Sequence, residues 1–185
     1  MQFAKIEELR SLPLLTAMPR SLFSADLLIR DGTLVRAKIK WPIFSLWTWY
    51  GGIMFVDGKQ YEVLPVRFNE NWWHLQPHTP IGYSLLLNKE AIAFAKFGST
   101  SSFLSIEFQG GIYELGAWSY DTDIRRWRKY PVFTVSSGNR TEIGKIEIPY
   151  WLQHYTIDLP AELPLILQVF LFFLVMTVDA DPRSA

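Results

Sequence analysis

The sequence predicts a mainly β protein, a sandwich or a barrel, with one long apolar segment near its C-terminal end. Three observations carry this. Aromatic residues make up 16% of the 185 residues, with 8 Trp, 8 Tyr and 13 Phe, and such side chains fit a pleated surface better than a helix. Turn signals such as Asp31-Gly32, Asp57-Gly58, Gly110-Gly111 and Ser137-Gly138-Asn139 cut the chain into short runs, because tight hairpin turns need positive φ at their central residues. About eleven or twelve such runs follow one another between Ser24 and Ile148, at the spacing of consecutive antiparallel strands and without a sustained helical period.

Composition bounds the partner classes. With 49% hydrophobic residues and 18 Lys+Arg balancing 18 Asp+Glu, the chain is neither disordered nor a general nucleic-acid binder, whose affinity comes mostly from neutralising phosphates. The absence of cysteine removes disulfides, thiol nucleophiles and thiolate metal sites.

Residues 1–23 read as an N-terminal extension. Lys5, Glu7, Glu8 and Arg10 precede the only apolar run, Leu14 to Met18, which Pro13 and Pro19 bracket. That run is too short and too charged at its start for a secretory signal, so a cytoplasmic location is expected. Residues 24–179 read as one domain and 180–185 as a tail. In the second strand Val35, Ala37, Ile39 and Trp41 share one face, and Arg36, Lys38 and Lys40 the other. A later strand places Ala91, Ala93 and Ala95 opposite Ile92, Phe94 and Lys96. Breaks are also expected at Asn69 to Asn71, Pro77 to Pro80, Asn88 to Glu90, Gly98-Ser99 and Asp121 to Asp123. An internal echo pairs Asp57-Gly58-Lys59-Gln60-Tyr61-Glu62-Val63 with Gln109-Gly110-Gly111-Ile112-Tyr113-Glu114-Leu115, 52 residues on. Two copies suit a barrel winding through two similar meanders.

Leu163 to Val178 carries no charge. As a helix it spans about 24 Å, short of a hydrocarbon core of about 30 Å. A helix apolar on all faces lies in lipid or in protein, and both remain open from the residues alone. Pro160 and Glu162 suit a helix start, which places the helix at about 161–178.

The order Gly58-Lys59-Gln60-Tyr61-Glu62-Val63, Ile143-Gly144-Lys145-Ile146, Tyr155-Thr156-Ile157-Asp158-Leu159-Pro160 and a terminal apolar helix resembles the Tubby C-terminal-like superfamily, in its phospholipid-scramblase and LURP-one-related branches. The resemblance covers roughly Ser24 to Asp179 and rests on order and spacing. It implies a closed antiparallel barrel of about twelve strands threaded by the C-terminal hydrophobic helix, and a surface that binds phosphoinositide-type headgroups in some members. A wide barrel also needs something apolar in its lumen. The chain departs from scramblases in lacking cysteine and a long N-terminal arm. Gln153-His154-Tyr155-Thr156-Ile157-Asp158 holds one carboxylate, whereas calcium wants six to eight oxygen ligands, so calcium-activated scrambling is not implied.

No catalytic set is expected. His74 and His78 flank Pro77, and His154 stands apart; two imidazoles without a third ligand make a poor metal site. Asp121 and Asp123 read as turn residues, and neither a nucleophile elbow nor a phosphate loop is present. No enzyme activity, cofactor or metal is therefore expected. What remains is charge beside aromatics: Arg36, Lys38 and Lys40 in one stripe, and Arg125, Arg126, Trp127, Arg128 and Lys129 in one cluster. Together they are expected to form the main positive surface, with anionic membrane lipid as partner and peripheral membrane association. Two alternatives stand beside this. Phe44 to Tyr50 and Asn71-Trp72-Trp73 could serve a protein-interaction module or a subunit of an assembly, and the terminal helix could anchor the chain as a tail.

Overall fold

The structure, a computed structural model, describes residues 14–20, 26–41, 51–66, 81–97, 104–116, 119–123, 128–137, 141–147 and 155–179. Among the described residues thirteen strands and one helix follow in order: β1 (Leu15–Pro19), β2 (Leu27–Asp31), β3 (Leu34–Lys40), β4 (Gly52–Val56), β5 (Lys59–Val66), β6 (Gly82–Leu87), β7 (Glu90–Phe97), β8 (Leu104–Phe108), β9 (Gly111–Leu115), β10 (Ser119–Asp123), β11 (Arg128–Ser137), β12 (Glu142–Glu147), β13 (Tyr155–Asp158) and α1 (Leu165–Asp179).

Consecutive strands pair antiparallel, except β9 and β10, which do not pair with each other, and β13 returns to β1 through Leu15↔Ile157. The β9 strand pairs the second half of β11, through Val135↔Leu115, while β10 pairs the first half, through Asp123↔Arg128. The two therefore occupy one position, and the ring has twelve. An even number lets an up-and-down meander close antiparallel, which removes sheet edges.

The ring begins earlier than the sequence led us to expect, because β1 lies inside residues 1–23. Its five residues bury only Leu15 and Ala17, a signal too short to register between two prolines. Asp121 and Asp123, expected in a turn, instead belong to β10.

The core lies inside the ring. Each of the twelve positions contributes a side chain at most 2% exposed: Ala17, Ile29, Ile39, Met54, Val63, Leu85, Ala95, Ile106, Leu115, Val135, Ile146 and Ile157. Through the middle runs α1, buried from Leu167 to Val175 on all faces. Phe173 stacks on Trp41 at 4.6 Å and meets Tyr83 edge-on at 6.2 Å, while Phe172 lies 5.5 Å from Tyr155. These partners come from the β3, β6 and β13 sides of the ring, so strands surround the helix. Its apolarity is thus used within the protein, and no helix among the described residues is long and apolar enough to cross a membrane.

The helix begins at Leu165, a few residues later than expected, with Ala161 and Glu162 in a turn before it and no acid in its first turn. Pro164 supplies the carbonyl that receives the N–H groups of Leu167 and Gln168. The buried Gln168 amide donates to the carbonyls of Leu163 (2.9 Å) and Pro160 (3.2 Å). That satisfies a polar side chain in an apolar lumen and ties the connecting turn to the helix.

Candidate functional site

Strands β2 to β5 and β6 to β9 share a register pattern, although the β2–β3 turn has positive φ only at Gly32 and the β6–β7 turn at both Asn88 and Lys89. In the first, Asp31↔Leu34 closes a two-residue turn, Arg30↔Val35 and Ile29↔Ala37 follow, and Arg36 is left over as a bulge. In the second, Leu87↔Glu90, Leu86↔Ala91 and Leu85↔Ala93 repeat this with Ile92 as the bulge. The next hairpins match as well: Val56↔Lys59 around Asp57-Gly58, and Phe108↔Gly111 around Gln109-Gly110. Both turns have positive φ at both central residues, 46° and 76° against 50° and 80°, the geometry that selects glycine at the second position. The sequence echo thus lies within a four-strand register pattern that occurs twice.

The bulge corrects two facial assignments. Ala37 and Ile39 face the core, and Trp41 packs at its edge, but Val35 is exposed. Likewise Ala93 and Ala95 are buried and Ala91 is not. An extra residue shifts the strand's phase beyond it.

Each unit also carries an outer cleft at the same place. Past Ala37↔Val56 the tip of β3 continues beyond the turn of β4 and β5. There a shallow cleft of about 400 Å³ is lined by Leu34, Val35, Arg36, Lys38, Phe55 and Asp57, among others. The corresponding cleft, about 250 Å³, is lined by Ala91, Ile92, Ala93, Phe94, Glu107 and Gln109. Where the first has Arg36, Lys38 and Asp57, the second has Ile92, Phe94 and Gln109. Two clefts on the same backbone with different charge imply that the fold does not require those charges.

The stripe is compensated by acids. Arg36 lies between Asp31 (3.7 Å) and Asp57 (3.8 Å), and Lys38 contacts Asp26 at 2.8 Å, which also faces Arg20 at 3.9 Å. Lys40 is exposed, with its ammonium 5.2 Å from the centre of the Phe55 ring. Beside them stand Leu34, 61% exposed, and Val35, 47% exposed. An apolar lip next to cations is an amphipathic surface, and the sequence reading had placed Val35 on the inward face.

Part of the second basic cluster falls on the described strands. Arg125, Arg126 and Trp127 lie outside the described residues, while Arg128 and Lys129 open β11. In the ring β11 is five strands from β3, close to the far side. Among the described residues Arg36, Lys38 and Lys40 stand together on β3. His74, His78, His154, Phe44 to Tyr50 and Asn71 to Trp73 also lie outside the described residues. Among the described residues no group of three or more His, Asp or Glu could hold a metal ion. Comparison with family models, curated proteins and solved structures finds no match for the chain.

Proposed function

We propose that this chain is a non-enzymatic, Tubby-like barrel protein that binds anionic phospholipid peripherally at the cytoplasmic face of a membrane. The observation that carries the reading is the β3 cleft, where Arg36 and Lys38 sit with Phe55 beside an exposed apolar lip, Leu34 and Val35. Cations near an anionic bilayer contribute about 1 kcal/mol each, and an adjoining apolar lip adds area that can leave water. With α1 filling the lumen, a ligand must be met on the outside of the wall. The reading requires no catalytic step.

The experiment is flotation of the protein with vesicles of phosphatidylcholine, alone or with phosphatidylserine. Wild type is expected to float only with the anionic vesicles and to be released by salt. The double variant Arg36→Glu, Lys38→Glu should stay at the bottom of the gradient. Flotation that ignores this double variant sinks the wall site. If wild type never floats and light scattering finds a stable oligomer, the interaction-module reading replaces it.

A further inference from the structure

Arg36 is charge-compensated without being saturated. Its two carboxylate neighbours stand at 3.7 and 3.8 Å, beyond hydrogen-bond reach, so the five N–H donors of the guanidinium are not consumed by them. The two acids are placed differently. Asp31 ends β2, on the hairpin that carries Arg36 itself, whereas Asp57 projects from the neighbouring β4–β5 turn and lines the cleft. In the second cleft the corresponding positions are Ile92 and Gln109, and its one charged lining residue is Glu107. Asp57 is also 62% exposed on its side chain, where an ion pair adds little stability.

We infer that Asp57 regulates headgroup binding in the cleft: it offsets the charge of the Arg36 guanidinium, and an anionic phospholipid headgroup binds by taking its place there. This rests on the lipid reading above. A bidentate phosphate satisfies the guanidinium fork better than a carboxylate held too far away to accept a hydrogen bond. The displaced carboxylate turns to water, and no covalent step is involved. Membrane attachment then depends on the density of negative charge, because the lipid must compete with a resident acid.

The variant Asp57→Asn tests this cleanly. Residue 57 has φ 46°, which asparagine adopts readily, and Asn-Gly is a preferred pair for this turn. Binding to phosphatidylserine-containing vesicles should tighten about fivefold for the charge removed, and adding Arg36→Gln should abolish the gain. Glu114→Gln changes net charge equally on β9, across the ring, and should leave binding at the wild-type level. If Asp57→Asn binds no more tightly than wild type, or Glu114→Gln matches its gain, the inference is overturned while the lipid reading stands. If neither wild type nor Asp57→Asn binds anionic vesicles, the lipid reading fails and the inference goes with it.

Discussion

Gly52 and Phe173 give the sharpest test of how the helix fits its barrel. Gly52 opens β4 with its missing side chain aimed at the lumen; a methyl group there would lie 2.6 Å from Cε2 and 3.3 Å from Cζ of Phe173. Carbon atoms prefer about 3.5–4.0 Å, so the ring must yield by about 1 Å. It has little freedom to do so, being stacked within 11° of parallel on Trp41 and met edge-on by Tyr83. Gly52→Ala should therefore cost about 1–3 kcal/mol, as overpacking does. Phe173→Leu removes the two crowding atoms, at about 1–3 kcal/mol by itself. In that background the new methyl occupies vacated space, and Gly52→Ala should become neutral or slightly stabilising, because alanine restricts the unfolded chain. Urea unfolding of the four proteins gives the coupling directly, expected at about 1–3 kcal/mol. Costs that simply add, to within about 0.5 kcal/mol, would refute the contact and with it the placement of α1.

Two further outcomes follow from the same structure. Gln168→Leu leaves the Leu163 carbonyl without its 2.9 Å donor and should lower unfolding stability by about 1–3 kcal/mol with an unchanged urea slope. Grafting Ile92→Arg and Phe94→Lys into the second cleft should raise binding to anionic vesicles by about 1 kcal/mol per added charge, in a salt-sensitive way; no increase would mean that cleft geometry contributes nothing.

Much of the architecture is legible in the residues because turns and alternation are local. Asp57-Gly58 marks its hairpin since few residues accept positive φ, and Tyr61 and Val63 alternate with Glu62 and Leu64 as a half-buried strand should. The glycine of Ile143-Gly144-Lys145 finds its reason only in the fold. A Cβ there would lie 2.2 Å from the Asp158 carbonyl, a contact between β12 and β13 that no local pattern announces. Phase errors arose where a bulge, at Arg36 or Ile92, broke the period of two. The candidate site was half legible. Arg36, Lys38 and Lys40 stand out by their spacing, but their acidic partners Asp26, Asp31 and Asp57 come from turns and strand ends whose meeting depends on register. The sequence also carries no sign of how far round a ring two strands lie, such as the five positions between β3 and β11.

The central claim is that the β3 wall meets an anionic membrane, and the chain's lack of cysteine makes that directly measurable. Leu34 and Ile112 are both exposed, at 61% and 54%, and they lie on β3 and β9, six positions apart in a ring of twelve. A polarity-sensitive fluorophore attached at Leu34→Cys should shift to the blue when phosphatidylserine-containing vesicles are added, while the same dye at Ile112→Cys should keep its aqueous spectrum. A shift at 112 equal to that at 34, or no shift at 34 while the protein floats with the vesicles, would contradict the account.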